Sequence, residues 1–464
     1  MLQYALKTTL FILCALVHTL ALSQSVSSKL ASAFKAFQDD PQLRNGIASL
    51  YVMDAKTGKV VYEHNGLLGL APASTMKVIT SASAYELLGE DFQYRTKFAL
   101  HKTGNEASLL IIPDGDPTFG SWRWAATKEE VVLKELTQAI QKQGVKTISS
   151  VVIDTEAWNE ETVPDGWMWQ DIGNYYGAGP AKLNWRENQY DVFLKSGKRI
   201  GDQVTIVAMT PEIKGYSLRS ELTSAAAGTG DNAYIYFPLN APAGTIRGTI
   251  PVNENRFKIS GAMPDASEQF VNTLRETLAG AGIRGPGKSL ANGSIVPEAK
   301  YTTIYTVTSP SLDSIIYWFN RKSVNLYGEA LVKTIAAKSN GAASTDKGVE
   351  LIRKFWRQQG IPEPELNIVD GSGLSPQNRV TTHAQVRILQ HARKQPWFDG
   401  FYASLPVYNG MRMKSGTIRD VKGFTGYHKA KDGNEYVFSF LVNNYNGASG
   451  AMVQKMYRVL DVLK

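Results

Sequence analysis

Cysteine is nearly absent: the 464 residues contain one, Cys14. It follows Leu13 rather than a small residue, which argues against a lipid-anchor cysteine. If the N-terminal segment is removed, no thiol is left for a disulfide, a nucleophile or a thiolate metal site. Histidine is scarce and scattered (His18, His64, His101, His383, His391, His428), with no metal-ligand spacing. The expectation is therefore no metal and no cofactor. No Gly-x-Ser-x-Gly elbow occurs, which excludes an α/β-hydrolase nucleophile. No basic run is interleaved with aromatics, so nucleic acid is not an expected partner. No internal repeat is evident.

The N-terminus reads as a processing signal. Lys7 is the charged start, Thr8–Leu22 is apolar and short for a membrane span, and Ala21-Leu22-Ser23 precedes a cut before Gln24. Residues 1–23 are taken as a signal peptide. Export without disulfides fits a bacterial periplasm or cell envelope. The rest is ordinary globular sequence, 43% hydrophobic and 20% charged, long enough for about two to four domains. The net charge of +8 suits an acidic polymer or anionic surface as well as mere solubility.

The chain is organised around Ala71-Pro72-Ala73-Ser74-Thr75-Met76-Lys77, read as the first turn of a helix ending near Gly89. Ser74 and Lys77 are one turn apart and share a face. A serine hydroxyl is a weak nucleophile without an adjacent base. A neutral lysine amine can be that base, and the helix N-terminus favours a developing anion. A Ser-x-x-Lys match needs context, because Ser344-Thr345-Asp346-Lys347 is a second one. There Ser344 reads as the cap of a helix over Asp346–Gln359.

Other expected elements are a helix over Ser25–Phe37, a strand pair within Gly46–His64 and a hairpin of Arg95–His101 with Ala107–Ile112. Helix Lys128–Gln143 and strand Thr147–Asp154 follow, then a Trp/Tyr-rich loop to Asn188. Short strands over Tyr190–Ile259 and helix Glu268–Gly280 come next. From Tyr301 a strand leads to helices Ser311–Phe319, with a break at Asn320–Lys322, Leu326–Lys338 and Thr382–His391. Strands Met411–Thr417, Val421–Ala430 and Tyr436–Asn443 precede helix Ala451–Leu463. The first hairpin reads as completed by the last three strands, so both chain ends form one domain with the middle inserted.

Two further motifs follow Ser74 in order. Ser323-Val324-Asn325 lies between two helices; taken alone, Ser323 also reads as a helix N-cap. Lys414-Ser415-Gly416-Thr417 lies on a strand. Three other Lys-[Ser/Thr]-Gly matches, at Lys56, Lys102 and Lys195, sit in hairpin turns. On the strand, Gly416 admits a substrate close to the backbone and Lys414 can meet a carboxylate.

Ser-x-x-Lys, Ser-x-Asn and Lys-Thr-Gly are the signature of penicillin-binding proteins and class A β-lactamases. The long stretch between Ser74 and Ser323 has no place in a compact β-lactamase. The chain resembles the low-molecular-mass class C penicillin-binding proteins, the D-alanyl-D-alanine carboxypeptidase/endopeptidase family. The resemblance extends to Gly115-Asp116-Pro117-Thr118, Trp167–Leu183, Ser309-Pro310-Ser311-Leu312, Asp370-Gly371-Ser372-Gly373-Leu374-Ser375 and Asn378-Arg379-Val380-Thr381.

The resemblance implies an α/β (α+β) fold. It has a serine β-lactamase/penicillin-binding-protein-like core, an antiparallel sheet with helices, plus two nested inserted domains. The catalytic domain is expected over 24–95 and 303–464, a second over 96–188 and 260–302, and a third over 189–259. The implied activity is cleavage of D-Ala-D-Ala in peptidoglycan stem peptides, with β-lactam antibiotics as inhibitors. Ser74 forms the acyl-enzyme, Lys77 takes its proton, and Ser323 passes a proton to the leaving amine, held by Lys77 and Lys414. Asn325 binds the peptide amide. Lys414, Ser415 and Thr417, with Gly416 between them, bind the terminal carboxylate. The N–H groups of Ser74 and Thr417 form the oxyanion hole. Lys77 is expected to be neutral through burial and the nearby Lys414. Asp171, with Tyr176 as aromatic partner, matches an acid that meets the stem-peptide amine; alone, Asp171 also reads as a turn residue.

The chain departs from the family pattern at Ser415 (usually Thr), at Ile418 after Thr417, at Asp114 (usually Gly) and at Ala181-Lys182-Leu183 (usually Ser-Ala-Leu). The alternatives are a β-lactamase or esterase on the same core, or a non-catalytic envelope penicillin-binding module. Met452, Met456, Val459, Leu460 and Leu463 share one helix face, expected to lie on the sheet. Membrane association is expected to be peripheral at most.

Overall fold

The computed structural model describes residues 25–286, 289–291, 300–339 and 341–464. The expected signal peptide, with Lys7 and Cys14, lies outside the described residues. In chain order the elements begin with α1 (Val26–Gln38), β1 (Ile47–Asp54), β2 (Val60–His64), a 3-10 turn over Ala73–Met76, and α2 (Lys77–Leu88). Then come β3 (Arg95–Thr103), β4 (Glu106–Ile112), α3 (Glu129–Lys142), β5 (Thr147–Ile153) and seven strands: β6 (Gln189–Lys195), β7 (Thr205–Thr210), β8 (Ser217–Ser220), β9 (Thr223–Ala225), β10 (Asn232–Tyr236), β11 (Ala243–Pro251) and β12 (Phe257–Ala262). Next are α4 (Ala266–Gly280), β13 (Ser289–Ala291), β14 (Thr302–Thr308), α5 (Leu312–Lys322), α6 (Asn325–Lys338) and α7 (Thr345–Gln358). The chain continues with β15 (Leu366–Asn367), β16 (Arg379–Val380), α8 (Thr382–Ala392), α9 (Phe398–Ser404), β17 (Val407–Tyr408), β18 (Met411–Ile418), β19 (Val421–Lys429), β20 (Glu435–Asn443) and α10 (Ser449–Leu460).

The largest sheet runs β17-β18-β19-β20-β1-β2, all antiparallel, so strands from both ends of the chain share it. Both of its faces are covered. Val437 and Leu441 of β20 enter a core with α2, α5, α6, α7 and α8. Phe438, Phe440 and Val442 enter a second core with α1 and α10. This is why β1 is buried at six successive positions instead of alternating. Met452, Met456, Val459, Leu460 and Leu463 are all buried in that second core, so the apolar face of α10 lies on the sheet. No helix among the described residues is long and apolar enough to cross a membrane.

The intervening chain has its own core. A five-stranded sheet runs β13-β5-β4-β3-β14. Residues 189–262 fold into two small sheets, β10-β11-β8 with β9 beside β11, and β12-β6-β7.

α2 is buried along almost its whole length, from Lys77 to Tyr85. Its last residues, Glu86–Leu88, are partly exposed, and Ser74 is the one residue not fully buried in its N-terminal turn. That turn is pinned from two sides by glycines. A Cβ on Gly416 of β18 would stand 2.5 Å from the Pro72 carbonyl oxygen and 3.0 Å from the Ser74 nitrogen. A Cβ on Gly373 would stand 1.9 Å from the Ala73 oxygen. Ala73 itself has φ of +46°, a left-handed conformation costly for a residue with a Cβ and held here by its surroundings.

Candidate active site

Ser74 sits in the 3-10 turn, half-buried, and Lys77 opens α2 with no exposed surface. Lys77 Nζ lies 3.0 Å from Ser74 Oγ, 2.7 Å from Asn325 Oδ1 and 2.8 Å from the Ser372 carbonyl oxygen. Burial lowers its pKa to about 7, against the opposing pull of the Asp370 and Glu329 carboxylates. The sequence expectation credited Lys414 as well. Desolvation is the cause, and the charges that act on Lys77 raise its pKa.

Ser323 ends α5 in a left-handed conformation, φ +56°. The helix break therefore falls at Ser323–Val324 rather than at Asn320–Lys322. Ser323 is also not an N-cap: Val324 holds that position for α6, without a side-chain bond. Freed from capping, the Ser323 hydroxyl accepts a bond from Lys414 Nζ at 3.0 Å. Lys77 does not share in holding it, since its bonds go to Ser74, Asn325 and Ser372. Asn325 opens α6, and its side chain is engaged at both ends, with Nδ2 donating to the Tyr176 carbonyl at 2.7 Å. Nδ2 keeps a second N–H and Oδ1 a second lone pair that these two bonds do not use.

Lys414 is buried on β18 and donates to the Ser415 carbonyl at 2.9 Å as well as to Ser323. Burial holds its amine well below the ordinary lysine range, with Lys77 and Lys422 adding like charge. Thr417 is exposed and its hydroxyl accepts from Lys422 Nζ at 2.6 Å, a cation that sequence reasoning did not place at this end of the strand. β17 pairs only with Met411 and Arg412, so the remainder of that edge of β18, past Lys414, Ser415 and Thr417, has no strand neighbour among the described residues. Such an edge can take an extended peptide as an added strand. The closeness that Gly416 allows is to the Ser74 turn itself, where the sequence expectation had a substrate.

Two acids escaped the sequence reading. Glu329 lies one helical turn after Asn325 on α6, fully buried, and its two oxygens accept the N–H groups of Gly371 and Ser372 at 2.9 and 2.8 Å. It thereby aims the Ser372 carbonyl at Lys77. Burial and the Asp370 carboxylate raise its pKa, over the smaller opposing pull of those N–H bonds and of Lys77. Asp370 accepts from the backbone of Gly373 and Ser375, from Asn378, and from the Trp167 indole N–H at 3.0 Å. The available signal was the lone acid of α6, four residues after the Ser-x-Asn asparagine.

Asp171 and Tyr176 are half-buried in the loop that begins at Trp167. Tyr176 Oη donates to Asp171 Oδ1 at 3.3 Å, and burial raises the Asp171 pKa. The loop is fastened to the cleft at two points, Asn325 on the Tyr176 carbonyl and Asp370 on Trp167. Ser344 accepts from the Lys347 N–H as the N-cap of α7, which starts at Thr345, so the second Ser-x-x-Lys match is a helix cap. Among the described residues, no group of three or more His, Cys, Asp or Glu could hold a metal ion.

A family model described as the D-Ala-D-Ala carboxypeptidase 3 (S13) family matches residues 30–462. Similar proteins include a D-alanyl-D-alanine carboxypeptidase of Actinomadura sp. (strain R39), 26% identical over 92% of this chain and 83% of its own length. D-alanyl-D-alanine carboxypeptidase DacB of Haemophilus influenzae is 22% identical over 84% of this chain and 83% of its own. The crystal structure of penicillin binding protein 4 (dacB) from Haemophilus influenzae superposes with a TM-score of 0.78 at 20% identity, covering 94% of this chain and 98% of that one. That likeness establishes a shared fold. With a family match over nearly its whole length, the chain belongs to the D-Ala-D-Ala carboxypeptidase 3 (S13) family.

Proposed function

We propose that Ser74 is the nucleophile of a serine-type D-Ala-D-Ala carboxypeptidase that acts on peptidoglycan stem peptides and is acylated by penicillins. The observation that carries this reading is the environment of the Lys77 amine. An ammonium has three protons to donate, but a neutral amine has two protons and one lone pair. Two of the neighbours of Lys77 Nζ, Asn325 Oδ1 and the Ser372 carbonyl, only accept. They take the two N–H bonds of the neutral amine, and the lone pair is left facing the Ser74 hydroxyl. Burial supplies the neutral form near pH 7.

The chemistry follows. The Ser74 oxygen attacks the carbonyl carbon of the penultimate D-Ala as its proton passes to Lys77. The oxyanion faces the N–H groups of Ser74 and Thr417, each worth about 10²–10³ in rate. The C–N bond breaks as the proton that Lys77 took passes on to the leaving amine by way of Ser323, which Lys414 holds, so Lys77 is neutral again. The terminal carboxylate lies by Lys414, Ser415 and Thr417, with Lys422 alongside. Water then cleaves the ester and returns the Ser74 proton. Asp171, steadied by Tyr176, meets the amine of the stem peptide. Endopeptidase action on cross-linked peptides uses the same steps with a longer leaving amine.

Residues 1–23 direct export to the periplasm or cell envelope, on the strength of Lys7 and the apolar run after it. The division into a catalytic domain and two nested insertions is supported by the six-stranded sheet that joins the chain ends and by the separate core of the intervening residues. The pairing of β14 with β3 favours drawing the later boundary after Thr308.

The test is release of free D-Ala from a peptide ending in D-Ala-D-Ala. Wild type is expected to release it, and Ser74→Ala and Lys77→Ala to lose it by at least about 10³-fold. Undiminished release from Ser74→Ala would overturn the reading.

A further inference from the structure

Beyond the cleft, the loop carrying Asp171 and Tyr176 runs along the free edge of β10. Asn174 Oδ1 accepts the Ile235 N–H at 3.0 Å, and a Cβ on Gly173 would stand 2.1 Å from the Ile235 oxygen, so the two segments are locked together. Ile235 points into the core, which puts Tyr234 and Tyr236 on the outer face of the strand. Trp169 packs its ring 5.8 Å from that of Tyr236, and the Arg247 guanidinium lies 5.1 Å from the Tyr236 ring centre. Trp169 keeps 48% of its surface exposed and Tyr175, whose ring packs edge-on to Tyr176, keeps 51%. An exposed indole braced in this way marks a binding surface.

We propose that Trp169 and Tyr236, with Arg247 lying over the Tyr236 ring and ion-paired to Glu221, form a platform for the N-acetylhexosamine disaccharide to which the stem peptide is attached. This rests on the stem-peptide reading of the cleft but concerns a different part of the substrate. Three features select a sugar. Pyranose rings present apolar C–H faces that suit exposed indole and phenol rings, while their hydroxyl and acetamido groups suit a guanidinium. The platform is continuous with the cleft, from Lys77 through Asn325 and Tyr176 to Asp171 and on to Trp169. The third is the reach that the substrate sets. An extended stem carries the sugar about 14 Å from the scissile bond, at about 3.4 Å per residue over four residues.

The experiment compares a free pentapeptide ending in D-Ala-D-Ala with the same peptide on its disaccharide. Wild type is expected to favour the glycosylated substrate by roughly tenfold in kcat/KM, the worth of one good aromatic stack. Trp169→Ala and Tyr236→Ala are each expected to abolish that preference while free-peptide turnover and penicillin acylation stay within about twofold of wild type. Saturation-transfer NMR of the peptide-free disaccharide with Ser74→Ala protein gives a readout independent of catalysis: transfer to the ring C–H protons is expected, and its loss in the Trp169→Ala background. Absence of a sugar preference together with absence of transfer, or either persisting in both variants, overturns the platform. Transfer without hydrolysis of either peptide instead overturns the peptidase reading and leaves the platform standing.

Discussion

Gly416→Ala displaces the turn that carries the nucleophile and its oxyanion-hole N–H while leaving every catalytic side chain in place, because it adds only one methyl group. The new Cβ would stand 2.5 Å from the Pro72 oxygen, 2.9 Å from the Thr75 nitrogen and 3.0 Å from the Ser74 nitrogen. All three are backbone atoms, so no side chain can rotate away. Ordinary contact begins near 3.4 Å, and the Pro72 oxygen must therefore retreat by about 0.9 Å, the difference between 3.4 and 2.5. Overpacking of this kind costs about 1–3 kcal/mol, a part of a total stability of about 5–15 kcal/mol, so the protein stays folded. The displacement falls on the turn that aims Ser74, and a shift of about 1 Å costs about 10²-fold in rate. Gly423, the cross-strand neighbour of Gly416, is the control. A Cβ there meets the side-chain ends of Leu441 at 2.6 Å and Thr75 at 3.0 Å, which can yield. Stopped-flow acylation by a fluorescent penicillin is expected to fall about 10²-fold in Gly416→Ala and by less than about tenfold in Gly423→Ala. A folded Gly416→Ala protein that acylates at the wild-type rate would refute the argument.

The Lys77 amine works when neutral, and its pKa is lowered to about 7. Acylation is therefore expected to rise with pH up to about 7 and level off above it, losing roughly tenfold per unit below; an acid limb near 4 or near 10 would contradict this. Glu329→Gln keeps the shape but replaces one acceptor oxygen of the Gly371 and Ser372 clamp with a donor, and acylation is expected to drop by about tenfold or more. Its charge raises the Lys77 pKa, so the acid limb should also move to lower pH, and a limb that stays in place would exclude the electrostatic part of the role. Ser344→Ala should cost about 1 kcal/mol in denaturant unfolding and leave acylation unchanged, as expected of a helix cap and nothing more.

The three short motifs were legible because each carries its chemistry in adjacent side chains, and chain order with strand or helix context separates Lys414 from the three hairpin lysines. The sheet shared by the chain ends was legible too, from strands left unpaired at the N-terminus. What escaped was tertiary. Glu329 looks like any helical acid until its oxygens are seen on the Gly371 and Ser372 N–H groups. The acceptor it aims, the Ser372 carbonyl, is backbone and has no sequence signal. Ser323 breaks the helix with positive φ at a residue with a Cβ, which local preference disfavours and the surrounding fold imposes. The Lys77 shift was anticipated in direction and in its main cause, burial; the contribution expected from Lys414 was not borne out.

Intact-mass analysis after incubation with benzylpenicillin, followed by peptide mapping, bears most directly on the claim that Lys77, Asn325 and the Ser372 carbonyl converge to activate one hydroxyl. A single adduct is expected, on the peptide containing Ser74 and absent from Ser74→Ala. An adduct on Ser344, or none on folded protein, would contradict it.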